Sequence, residues 1–110
     1  MIASPMRVVL CTCPPESAAE IARTVVGERL AACVNILPTV RSVYRWKGEL
    51  CDDSESLLII KTTADRLDEL TRRLLACHPY DVPEVIALPI HEGEGNPDYL
   101  AWLAAETTPE

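Results

Sequence analysis

The stretch ACHPYDVPEV places a cysteine and a histidine side by side, Cys77 and His78, with two prolines and an acid close behind. Thiolate favours Cu(I) and Zn, and imidazole suits Cu and Zn, so the pair could serve as metal ligands. Neighbouring side chains on a regular helix or strand point apart. Both could face one ion only where the backbone turns, and a helix end before Pro79 offers such a turn. The same residues also have a plainer reading. A cysteine on the apolar side of a helix is a small core residue, and a histidine at a helix end can hydrogen-bond a free carbonyl. Two or three ligands fall short of the four of a structural zinc site, so a closed site would need ligands shared between subunits.

The other cysteines are Cys11, Cys13, Cys33 and Cys51. Cys11 and Cys13 flank Thr12 and share one face of a strand. They could form a two-thiolate clip, although the spacing is not C-x-x-C. On the packing alternative one lies in the core and the other is partly exposed. Cys33 begins a strand and reads as a core residue. Cys51 falls in a polar run with Glu49, Asp52, Asp53 and Glu55. That run lacks the spacing of a calcium loop and reads as the solvated face of a hairpin.

No arrangement for catalysis stands out. G-x-S-x-G, H-E-x-x-H and a glycine-rich loop are all missing from the sequence. The segment CTCPPES carries prolines where a phosphate cradle would need backbone N–H donors. Cys11 and His78 could act as nucleophile and base only if the fold brought them together. The expectation is a protein that is not an enzyme.

A formal net charge of −7 argues against a nucleic-acid partner, which needs clustered Lys and Arg. No apolar run approaches the roughly 18 residues of a membrane span, so no membrane insertion is expected. The opening MIASPMRVVLCTCPP has no basic head and no small-residue cleavage site, and reads as a first strand and not a signal peptide. An odd number of cysteines without such a signal implies reduced thiols and a cytoplasmic location. With 110 residues, 48% hydrophobic and 25% charged, residues 1–110 suit one domain with a real core.

The elements that must position these side chains follow from periodicity. MRVVLCT is the first strand. In the helix after it, Ala18, Ile21, Ala22 and Val25 recur at three and four. Gly27 marks its last turn or a close helix–sheet contact. CVNILPTVRSVYRW is a second strand, bent or at an edge at Pro38. Lys47–Gly48 is a turn, and ELCDDSESLLIIKTT returns as a third strand. Helix two starts near Thr63 and Asp65, buries Leu67, Leu70 and Leu74, and stops at Pro79. Leu57–Ile60 in the third strand is apolar on both faces and reads as buried on both, and EVIALPI is a fourth strand, again apolar on both faces. Asn96 caps a third helix with Pro97 in first position, and Tyr99, Leu100, Trp102 and Leu103 supply its apolar surface.

The order βαββαβ plus a C-terminal helix predicts an α+β, ferredoxin-like sandwich with both main helices on one face of an antiparallel sheet. The first, third and fourth strands are apolar on both faces, and the last helix is too short to cover the second face. A monomer would expose a large apolar patch, which predicts a homo-oligomer.

The ordered blocks ERLAACVNILP, SVYRWKGEL, ESLLIIKTT, HPYDVPEVIALPI and YLAWL resemble the signature of the CutA divalent-cation tolerance family. The resemblance spans about nine-tenths of the chain, from LCTCP to YLAWL. It implies a ferredoxin-like subunit in a tight homotrimer, with long second and third strands reaching across to neighbours. It also implies a link to divalent-metal tolerance; copper binding is attributed to some members, and others are linked to anchoring a membrane-bound enzyme. The implied ligands of a copper ion, Cu(I) or Cu(II), or of another divalent metal, are Cys11, Cys77 and His78. Cysteine at 77, where some relatives carry histidine, would soften the site toward Cu(I). Trp46, Lys61, Tyr80, Glu84, Tyr99 and Trp102 also fall in the family blocks. They could line an intersubunit cleft for a small anion or metabolite, or Trp46 and Trp102 could be interface anchors.

Overall fold

The computed structural model describes residues 6–109. The ends of the 1–110 domain, residues 1–5 and 110, lie outside it. The chain runs β1 (Met6–Cys13), a single 3-10 turn at Pro15–Ser17, α1 (Ala18–Gly27), β2 (Cys33–Trp46), β3 (Glu49–Thr63), α2 (Ala64–Cys77), β4 (Ile86–Pro89) and α3 (Pro97–Glu106). The four strands form one sheet in the order β2-β3-β1-β4, every pair antiparallel. This is the expected α+β fold, and its βαββαβ topology is the ferredoxin-like one.

One sheet face together with α1 and α2 makes the core. Alternation along β1 turns Val9, Cys11 and Cys13 to that face, and β3 contributes Leu58 and Ile60. The predicted stripe of α1 is buried in full, and α2 buries Leu70 and Leu74 with Leu67 packed alongside.

The turn after α1 departs from expectation. Gly27 ends the helix but touches nothing that a Cβ would disturb, so only the last-turn reading holds. The left-handed position is taken by Arg29, at φ 62°. Leu30 N–H donates to Val25 O at 2.9 Å and Arg29 N–H to Val26 O at 3.0 Å. This pair of bonds is the Schellman ending, here without its usual glycine. The Arg29 side chain crosses to α3 and donates to Ala105 O and Thr108 O, each at 2.7 Å.

β2 and β3 form a long ribbon closed by Lys47 and Gly48, both at positive φ (52° and 82°), as a two-residue primed turn requires. Pro38 sits in a register shift between Leu37 and Val40, where β2 carries one extra residue against β3. Ser56 O–H donates to Pro38 O at 2.7 Å across this bulge.

The second sheet face is largely uncovered. Register pairs Leu10 with both Ile59 and Ile86, and Val8 with Leu88, so these apolar side chains share it. β4, apolar on both faces, is an edge strand beside β1, and its four residues are all exposed in the single subunit, the apolar exposure expected of a monomer. α3, capped by Asn96 accepting from Asp98 N–H at 3.0 Å, buries only Leu103 of its four predicted apolar residues. Tyr99 and Trp102 stay exposed, their rings 5.4 Å apart.

Candidate functional site at the end of the second helix

α2 ends at Cys77 because Pro79 forces the residue before it out of the helical region. His78 accordingly sits at φ −84°, ψ 140°, while its N–H still donates to Leu74 O at 3.0 Å. From this corner the two adjacent side chains diverge. Cys77 lines a cleft of about 270 Å³ with Glu20, Ile21, Thr24 and Arg73. The His78 ring turns toward the sheet, and the residue is only 8% exposed.

Both ring nitrogens of His78 are engaged. Tyr80 N–H donates to Nδ1 at 3.1 Å, and Nε2 lies 2.8 Å from Thr12 O on β1. An acceptor at Nδ1 and a carbonyl facing Nε2 define the neutral tautomer with its proton on Nε2. The Cys11 thiol makes a weak hydrogen bond to the same Thr12 oxygen, at 3.8 Å. Thiol and imidazole therefore converge on one carbonyl. They do not form a thiol–base pair, since the ring's free lone pair faces Tyr80.

Tyr80 extends the cluster. Its ring lies 4.8 Å from that of His78, and its hydroxyl donates to Glu55 Oε2 at 2.9 Å. Glu55 was expected on the solvated hairpin face with Asp52 and Asp53. It is instead 7% exposed, one residue beyond the Pro38 bulge, where the ribbon meets the body of the subunit. Burial, then the bond to Glu55, pushes the Tyr80 hydroxyl up to about 12.

The thiols are held in their protonated form. Burial pushes Cys11 up to about 12, with the charges of Cys13 and Glu84 adding to it, and pushes Cys13 up to about 11 with help from Glu55. Both side chains are wholly buried, which corrects the expectation that one would be partly exposed; residues two apart on β1 share the face beneath the helices. Cys33, expected in the core, is only partly buried at the start of β2. Burial also raises Cys77, although neighbouring Arg73 works against it.

The donor types at this corner suit a soft metal, but their placement does not. A thiol binds metal as thiolate, and Cys11 is strongly biased against ionising. Neither nitrogen of His78 is free, and Cys77 lines a separate cleft. Among the described residues no group of three or more His, Cys, Asp or Glu side chains is arranged to hold a metal ion. As placed, Cys11, Cys77 and His78 do not fit one.

The other candidate residues fall into separate places within the subunit. Trp46 lies at the ribbon tip beside Lys47. Lys61 donates to Asn35 Oδ1 on the uncovered side. Tyr99 and Trp102 form the exposed pair on α3. Tyr80 belongs to the Glu55 cluster, and Glu84 is near enough to raise Cys11. Sequence reasoning missed Glu55 and the Thr12 carbonyl. The only hint of the first is Pro38, whose bulge changes which residues of β3 lie under cover.

These features define a ferredoxin-like α+β subunit with a thiol–imidazole–tyrosine corner where its second helix meets the sheet. The family model of the CutA1 divalent ion tolerance protein matches residues 7–106, and the chain belongs to that family. It is 54% identical over 101 residues to the divalent-cation tolerance protein CutA of Thermus thermophilus, covering 91% of this chain and 96% of the relative. It is 53% identical over 93 residues to mouse protein CutA, covering 84% of this chain but only 51% of that protein, about half its length. The solved structure of CutA1 from Oryza sativa superposes with a TM-score of 0.90 at 50% identity, over 94% of both chains. A structure from Archaeoglobus fulgidus, 30% identical with a TM-score of 0.87 over 94% of this chain and 99% of that one, is described as a periplasmic divalent cation tolerance protein CutA. No helix among the described residues is long and apolar enough to cross a membrane.

Proposed function

We propose that this chain is the subunit of a cytoplasmic homotrimer that serves divalent-cation tolerance by binding and not by catalysis. The observation that carries the reading is the uncovered sheet face. Ile86 is 53% exposed and Leu88 48%, and the ribbon beyond them presents Val43, Trp46 and Leu50, the last at 73%. Apolar surface on this scale calls for a partner, and further copies of the chain would bury it. The number three follows from the family resemblance. Five free cysteines support a reducing compartment.

Copper, as Cu(I) or Cu(II), is the proposed metal, supported by family membership and by thiol and imidazole donors. Because the donors do not fit within one subunit, copper binding is proposed for the assembled protein, where a neighbouring copy could complete a ligand set. A second reading is a small ligand or partner held in a cleft between subunits. It is favoured by the exposed Tyr99–Trp102 pair on the helix that packs against β3, the strand carrying Lys61.

Native mass spectrometry combined with anaerobic titration of the reduced protein by Cu(I), Cu(II) and Zn(II) tests both. A trimer binding a fixed number of copper ions supports the first reading. A trimer that binds none tightly but melts higher with a small anion supports the second. A monomer overturns both.

A further inference from the structure

We infer that His78 is the lock of the turn that follows α2, and that closure of this lock and capture of a cation by its imidazole exclude one another. The inference bears on the copper reading without resting on it, because the lock is a property of the metal-free chain.

Three observations converge. The segment after Cys77 leaves the helix at a proline, so Pro79 contributes no N–H to hold it. The next N–H, that of Tyr80, donates to a side chain: His78 Nδ1 at 3.1 Å. The other ring nitrogen reaches β1 at Thr12 O, 2.8 Å away. One imidazole thus ties the turn to itself on one side and to the sheet on the other.

The consequence is geometric. A metal at Nδ1 would displace the Tyr80 N–H, since both need the same lone pair. A metal at Nε2 would displace the proton that faces Thr12 O; a neutral ring then carries its proton on Nδ1, where it confronts the Tyr80 N–H. Either way the Tyr80 hydrogen bond is lost. The Tyr80 side chain holds a second fastening, its hydroxyl to Glu55 at 2.9 Å, so an opened turn would strain the environment of a buried carboxylate. A ring that closes a turn is a different device from a ligand held ready with one nitrogen oriented and the other free.

The test uses the full chain, reduced and metal-free, with Zn(II) and anaerobic Cu(I) as probes. Nitrogen-15 spectra of the His78 ring report its tautomer and any metal contact, and hydrogen exchange reports the Tyr80 amide. The metal-free protein is expected to show the Nε2–H tautomer; the Nδ1–H tautomer would overturn the lock, and this arm needs no variant. In H78A the Tyr80 amide is expected to exchange at least tenfold faster, and unchanged exchange in a folded variant would overturn it. On titration, ring resonances that move together with loss of Tyr80 protection support the exclusion. Unmoved ring resonances with Tyr80 still protected support it too, as a lock that stays shut. Ring resonances shifted by metal while Tyr80 keeps full protection would overturn it.

Discussion

The hydroxyl of Tyr80 donates to the carboxylate of Glu55 across 2.9 Å, joining the turn after α2 to the strand that leaves the ribbon bulge. Glu55 is largely buried, so little water reaches it in place of the hydroxyl. Y80F should therefore destabilise the subunit by about 1–3 kcal/mol, the range for leaving a buried polar group without its partner. The double variant Y80F/E55Q should lose less than the sum of the single changes. Urea unfolding of the four proteins measures the coupling, and strict additivity would show that the bond contributes nothing.

Arg29 couples an unfavourable backbone angle to a useful side chain. Its left-handed φ disfavours a side chain by about 1 kcal/mol relative to glycine, while its guanidinium caps the carbonyls ending α3. Its own carbonyl accepts from Arg66 Nε at 3.3 Å, so the ends of α1 and α3 and the start of α2 meet at one residue. R29A should cost about 1–3 kcal/mol, and R29G about 1 kcal/mol less than R29A. Equal stability of R29A and R29G would mean that the angle carries no strain.

Alkaline pH should weaken the fold through the thiols under the helices. Cys11 and Cys13 rise in the folded chain to about 12 and about 11, from 9.0. The unfolded chain then releases these protons first, so their contribution is complete below about pH 9 and is lost as pH climbs through 11 and 12. C11A should flatten the fall in stability between pH 9 and 11, followed by chemical denaturation. An unaltered slope would locate the alkaline sensitivity elsewhere.

The uncovered face can be tested with one charge. L88D puts a carboxylate among Val8, Leu10 and Ile86 on the largely uncovered side of the sheet. The expected result is dissociation in sedimentation velocity with the far-ultraviolet circular dichroism of the subunit retained. An oligomer that survives L88D would mean that this face is not the joint.

Much of the architecture was legible because periodicity and punctuation agree along the chain. Ala18, Ile21, Ala22 and Val25 announce α1, Pro79 ends α2, Asn96 and Pro97 begin α3, and Lys47–Gly48 closes the ribbon. Burial was less legible, because it depends on which neighbours arrive. EVIALPI reads as apolar on both faces, and only the strand order shows that Ile86 and Leu88 lie on an open edge. Glu55 reads as surface and lies under Tyr80. The candidate site was legible only as residue types. His78 and Cys11 do meet, but at the backbone oxygen of Thr12, and a carbonyl has no letter of its own in a sequence.

The β2–β3 ribbon bears on the order in which the chain folds. Its pairs start at Trp46 and Glu49, across a two-residue turn, and extend outward by short additions. The β1–β4 pairs must instead gather Leu10 and Ile86 from distant parts of the sequence. Local closure precedes distant closure when loop entropy sets the sequence of events. The ribbon should zip first from its tip and the edge strand dock last. In kinetic terms, a substitution at Gly48 should slow folding, while one at Ile86 should chiefly quicken unfolding. The reverse pattern would mean that the sheet is nucleated from its far edge.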